Sequence, residues 1–193
     1  EGYEEKPTIF FEFHGTETGA KEQAETVQAI AEEFGGSAFQ WTSKMEDRNK
    51  LWQARHDAYY AAIALRSGCQ GWATDVCVPV SRLAECINET KDDLEETGLI
   101  SPLVGHVGDG NFHMLYIVDP NNQEEMAKAQ AHSDRMVMRA LEMGGTCTGE
   151  HGVGYGKIHF LTNEHGDAMS LMRSLKTAFD PDNIMNPGKI VNI

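Results

Sequence analysis

The stretch "GHVGDGNFH", residues 105–113, sets two histidines around a Gly-Asp-Gly. Asp-Gly between alternating apolar residues is a strong hairpin signal, because a type I′ turn needs positive φ at both central positions. With Asp109-Gly110 as the turn, Gly108 would pair with Asn111, Val107 with Phe112, and His106 with His113. Directly opposed residues share a face, with Cβ atoms about 4.5–5.5 Å apart. Both imidazoles could then reach one metal ion. A three-residue loop, Gly108 to Gly110, would shift this register. An ordinary pair of partly buried strand histidines is the competing reading.

A third ligand is expected from "TGEHGVGYG", where Glu150 and His151 stand side by side among glycines. Two His and one Glu suit Zn²⁺ with an open fourth position, and Mn²⁺ or Fe²⁺ accept the same donors. His151 would be the adjacent general base, since imidazole titrates near working pH. Arg55, in "LWQARHDAYYAA", is the next candidate. A guanidinium on a partly apolar helix face suits bidentate capture of a carboxylate. Its alternative is a surface arginine paired with Asp47 or Asp57. His14, His56, His132, His159 and His165 read as surface or helix residues.

The elements that must position these residues follow from periodicity and turn chemistry. Residues 8–15 and 37–42 read as strands, 71–80 as a third, and 101–118 as the hairpin. Helices are predicted from Thr16 up to Gly35-Gly36, over 43–66 from a Ser43 cap, over 81–98 with Ser81 as cap and Gly98 as stop, and over 121–145. Residues 146–157 are too glycine-rich for regular structure. Two short helices fill 155–180, and a turn-rich tail ends in an extended segment. The resulting class is α+β: a mainly antiparallel sheet with helices packed on one face, ferredoxin-like, plus C-terminal helices. The domain reading is a sheet core over 7–150 followed by a loop, helices and tail over 151–193.

Composition bounds the function. The 193 residues are 40% hydrophobic, enough for a core. No apolar run approaches the roughly 20 residues of a membrane span. The net charge of −14 argues against nucleic acid and anionic membranes as partners. Four cysteines without a C-x-x-C pair suit reduced thiols. The opening "EGYEEK" carries no signal peptide, and without an initiator Met the chain is expected to be a piece of a longer protein or a processed product.

"VGHVGDGNFH", "TGEHGVGYGK" and "FDPDNIMNPGK", in this order, resemble the C-terminal substrate domain of the FAD-linked oxidases of the vanillyl-alcohol oxidase superfamily. "LWQARH" and "ATDVCVPVS" resemble its flavin-dependent D-lactate dehydrogenase (cytochrome) branch, with the glycolate oxidase D subunit a close relative. The resemblance implies a chain that caps FAD held mainly by an N-terminal domain absent from this sequence. It implies His106, His113 and Glu150 as ligands of a divalent metal, Zn or Mn, His151 as catalytic base, and Arg55 as the carboxylate-binding residue. It places Asn186 in a segment that returns toward the flavin.

The implied reaction oxidises D-lactate or a similar small 2-hydroxy acid to the 2-keto acid, with hydride transfer to FAD. The isolated chain would be inactive. Relatives that oxidise D-2-hydroxyglutarate carry a Lys and an Asn where this chain has Ala73 and Leu115. With Tyr59 one turn after Arg55, the pocket offers little to a second carboxylate. Implied partners are the small 2-hydroxy acid, an FAD-binding domain or subunit, and an unspecified electron acceptor, with a homodimer left open. The expected compartment is the cytoplasm, with attachment at the periphery of the inner membrane left open, or the mitochondrial matrix in a eukaryote. Competing readings are a glycolate oxidase subunit, a metal-dependent hydrolase using the same His-His-Glu site, and a non-catalytic ferredoxin-like module.

Overall fold

A computed structural model of the protein describes residues 6–37 and 39–193. The chain divides into two compact units between Ala61 and Ala62.

The first unit carries α1 (Glu17–Glu33) and most of α2 (Met45–Ala64). Thr16 caps α1 by accepting the Gly19 amide at 3.1 Å. The predicted strand over 8–15 is not formed, nor is any strand among 37 and 39–42; residue 38 lies outside the described residues. Both segments have strand-like side chains, but a strand exists only through a partner's backbone, and neither is paired here.

The second unit is built around β4 (Asn111–Val118), all eight residues of which are buried. On one edge it pairs antiparallel with β1 (Gln70–Ala73) and β2 (Val76–Cys77), and on the other with β3 (Leu103–His106). Phe112, Met114, Tyr116 and Val118 face α3 (Val80–Thr97) and α4 (Gln123–Glu142), and join Leu83, Cys86, Met136, Val137 and Ala140 in the main core. The buried Leu, Val, Phe and Met side chains among these each contribute roughly 1.5–3 kcal/mol by leaving water. On the opposite face Leu115 and Ile117 pack against Ala62 and Ile63. Asn111 and His113 occupy the remaining half of that face. The class is α+β with a small antiparallel sheet, as the sequence predicts.

Three local features differ from expectation. The segment 71–80 is two strands broken at Thr74-Asp75. Ala73 faces Leu115 and Val76 faces Phe112, so the register runs through the break. At the break the Met114 amide donates at 2.8 Å to Thr74 Oγ1, which replaces a carbonyl in the ladder. The hairpin is not closed by Asp109-Gly110 alone. A 3₁₀ turn over Val107–Asp109 and a left-handed Gly110 connect the strands, so His106 faces Asn111 and His113 faces Val104. A Cβ on Gly110 would lie 2.0 Å from the Val78 carbonyl, so this turn packs too tightly on β2 for any side chain. Third, α3 starts at Val80 behind Pro79, with no side-chain cap, so Ser81 lies inside the first turn. The Pro79 carbonyl already accepts the Arg82 amide at 2.8 Å, so the chain is turning before Ser81 is reached.

Asn122 caps α4 by accepting the Glu125 amide at 3.2 Å. After the glycine loop come α5 (Leu161–His165) and α6 (Ala168–Phe179). The tail folds back, and the Ile190 amide donates to the Gly154 carbonyl at 3.1 Å.

A candidate metal and substrate site

The register shift of the hairpin is two residues, an even number, so it leaves both histidines on one face. His106 and His113 are diagonal neighbours with ring centroids 6.5 Å apart. The freed Thr74 carbonyl accepts His113 Nδ1 at 2.8 Å. A carbonyl only accepts, so Nδ1 is the donor in this bond and Nε2 is turned toward Glu150, the orientation a metal-ligating histidine needs.

Nε2 of His113 lies 3.0 Å from Glu150 Oε1. His151 Nε2 is 3.4 Å from the same oxygen, and His106 Nε2 is 3.9 Å from Glu150 Oε2. The donor atoms of His113, Glu150 and His151 all lie within 4.8 Å of one another, a set that fits a divalent ion. His106 borders this set from the second carboxylate oxygen. The His113 side chain is 11% exposed, while those of Glu150 and His106 are 47% and 56% exposed, so the site is rooted in the sheet and open on one side.

Asp75 lies beneath. It is buried, yet its carboxylate is held well below the usual range. Burial alone would raise it; the amides of His151 and Glu150, the Asn111 side-chain amide and the Thr148 hydroxyl together outweigh that. Lys157 Nζ donates to the Asp75 carbonyl at 2.7 Å. Burial pulls the Lys157 ammonium below its ordinary value, opposed by the Asp75 charge.

Of the residues singled out from sequence, His106, His113, Glu150 and His151 are brought together. Arg55 belongs to α2 in the first unit. It is half-buried and has no hydrogen bond or ion pair among the described residues; Asp57 accepts from Gln53, and Asp47 pairs with Lys50. Asn186 is exposed and left-handed, φ +46°, in the tail tied to Gly154. His132, read as a surface or helix residue, lies on α4 and is fully buried. Sequence reasoning missed Thr74, Asp75, Asn111, Thr148 and Lys157. One signal was available: a carboxylate inside the apolar run "WATDVCV" is a residue type almost never buried unless paired.

The family model described as FAD linked oxidases, C-terminal domain, matches residues 2–190. The chain is similar to a probable mitochondrial D-lactate dehydrogenase of Danio rerio, 49% identical over 192 residues, 99% of this chain and 39% of that protein. It is 44% identical over 188 residues to a mitochondrial D-lactate dehydrogenase [cytochrome] of Arabidopsis thaliana, covering 97% of this chain and 33% of that protein. It is 31% identical over 186 residues to the glycolate oxidase subunit GlcD of Bacillus subtilis, covering 96% and 39%. The chain thus spans at most 39% of the length of these relatives.

Proposed function

The chain belongs to the FAD linked oxidases, C-terminal domain family, and on that premise we propose that it is the substrate- and metal-binding part of an FAD-dependent dehydrogenase of small D-2-hydroxy acids. The observation that carries the reading is the convergence of His113, Glu150 and His151 on the open half of the sheet. In this reading His106, His113 and Glu150 hold a divalent ion, Zn or Mn, which supplies Lewis acidity toward a substrate hydroxyl. FAD, bound mainly by the rest of the polypeptide or by a partner subunit, supplies the two-electron acceptor.

The chain's own residues then have defined tasks. Oxidation to the 2-keto acid removes a hydroxyl proton and an α-hydrogen with its electron pair. His151 takes the proton at Nε2. Arg55, without a competing partner among the described residues, clamps the C1 carboxylate through its planar fork and so orients the α-carbon. Asn186 is this chain's contribution on the flavin side.

D-lactate is the favoured substrate. Relatives named D-lactate dehydrogenase reach 40–49% identity. Ala73 and Leu115 are directly opposed in the sheet, on the face that carries His113, and offer no charge to a second carboxylate. Glycolate is the second reading, from GlcD relatives at 31% and 29%. The mitochondrial names of the first relatives favour the matrix as compartment; no described helix is long and apolar enough to cross a membrane.

Steady-state kinetics of the flavin-loaded full-length protein test this. D-lactate should have a higher kcat/KM than glycolate or D-2-hydroxyglutarate. His151→Ala should lower kcat by about 10²–10⁴-fold, and Arg55→Ala should chiefly raise KM. Near-wild-type kinetics in both variants would refute the assignment.

A further inference from the structure

We propose that Asp75 is the positioning residue of this site, a buried carboxylate that latches the glycine loop onto the broken strand and so brings Glu150 and His151 to His113. The inference rests on the metal-site reading above for its purpose, and on geometry alone for its existence.

Asp75 is 2% exposed. Its Oδ1 accepts Asn111 Nδ2 at 2.7 Å, and its Oδ2 accepts the Thr148 hydroxyl at 2.8 Å. The backbone amides of His151 and Glu150 donate to Oδ2 at 2.9 and 3.0 Å. Lys157 Nζ sits 3.4 Å from the same oxygen. These donors come from β4, the loop and the segment after it, so one side chain joins three stretches of chain.

The loop's other anchors flank the Glu150-His151 pair: the Cys147 amide donates to Glu164 Oε2 at 3.0 Å, and the Gly154 carbonyl accepts the Ile190 amide at 3.1 Å. Thr146 pairs with Cys77 at its start, and Lys157 donates its amide to Val153 at its end. Between them, among the described residues, the amides of Glu150 and His151 have Asp75 as their acceptor. A Cβ on Gly149 would lie 1.9 Å from Asn111 Nδ2 and 3.0 Å from Asp75 Oδ1, so the loop is seated directly on the latch. Asp75 acts through other residues: it fixes the backbone that carries Glu150, a candidate metal ligand, and His151, the candidate base.

Asp75→Asn tests this, because it keeps the shape and turns one acceptor into a donor facing donors. Amide hydrogen exchange and calorimetric titration with ZnCl₂ and MnCl₂ are measured on the 193-residue chain, with Thr148→Val as a milder variant and Asp93→Asn as a control elsewhere in the second unit. Exchange at Glu150 and His151 should accelerate at least about tenfold while β4 stays protected, and metal affinity should fall about 10–100-fold, the range for outer-shell partners. Thr148→Val should show a smaller effect of the same pattern, which decides the matter if Asp75→Asn does not fold. The control should show neither change. Unchanged exchange at 150–151 in both variants overturns the latch, as does a uniform loss of protection across β4 and the loop. A wild-type chain that binds neither metal, yet shows the local exchange change on substitution, overturns the metal reading and supports the latch.

Discussion

Gly149 is a residue whose lack of a side chain has a measurable consequence. The loop approaches the sheet so closely that a methyl group there would overlap Asn111 Nδ2, 1.9 Å away. Gly149→Ala must push the loop off its seat and move Glu150 and His151 with it. Overpacking of this kind costs about 1–3 kcal/mol. The substitution should lower the urea midpoint by a corresponding amount and weaken Zn or Mn binding. Gly156→Ala is the comparison: nothing lies within 4 Å of its Cβ, and stability should hold or rise slightly. Equal destabilisation by both would show that seating at Gly149 is not what holds the loop. The histidines carry a similar lesson. Their types and spacing were legible in "GHVGDGNFH", but which ring nitrogen of His113 is turned toward Glu150 is decided by Thr74, 39 positions away in sequence.

The element that closes the core is α4. It packs on β4 and α3 through Met136, Val137 and Ala140, and buries His132 among them. The Tyr116 hydroxyl meets His132 Nδ1, and His132 Nε2 donates to the Thr90 carbonyl at 3.1 Å. One imidazole thus joins the sheet to both helices. Around it Arg135 and Arg139 pair with Asp93, whose carboxylate is 3.9 Å from His132 Nε2. Burial pulls the His132 pKa below its ordinary 6.5, more strongly than the Thr90 carbonyl and Asp93 push it up. A depressed folded pKa means the unfolded chain binds the proton first. This stability is complete above the ordinary value and is lost as pH falls below it toward the folded value. The thermal midpoint should therefore drop between pH 7 and pH 5, and His132→Gln, which keeps both hydrogen bonds, should flatten that drop. An unchanged slope in the variant would remove His132 from the account. The helix, with asparagine at its start and a glycine pair at its end, was readable from the sequence. The burial of His132 was not, because a polar residue on an amphipathic helix shows its partner only once Tyr116 is placed against it.

For the whole molecule the governing fact is that the family match runs through both compact units, while the chain spans at most 39% of the relatives reported above. If FAD is held outside these 193 residues, as proposed, the site should bind without turning over. The isolated chain, supplied with Zn or Mn and D-lactate, should show no reduction of an artificial acceptor. The flavin-loaded full-length protein should be active, lose activity on chelation and recover it with one of these ions. Turnover by the chain alone would contradict this division of labour. Residues 8–15 and the described part of 37–42 looked like strands but form none, because a strand needs a partner's backbone. Their side chains suit a sheet, and residue types alone do not supply the pairing.

What the sequence by itself determined is short in range. Turn chemistry and the two-residue alternation of strands put His106 and His113 on one face whether the register is direct or shifted by two. Glycines and a vicinal Glu150-His151 marked the loop, and periodicity with caps marked α1 and α4. The tertiary structure alone decided that the loop meets the sheet, through an aspartate 76 positions from the amide it holds. It also decided that the strand breaks at Thr74, and that His113 presents Nε2. Such contacts depend on closing long loops between unlike elements, and no local pattern of residue types encodes which distant donors a buried carboxylate will collect.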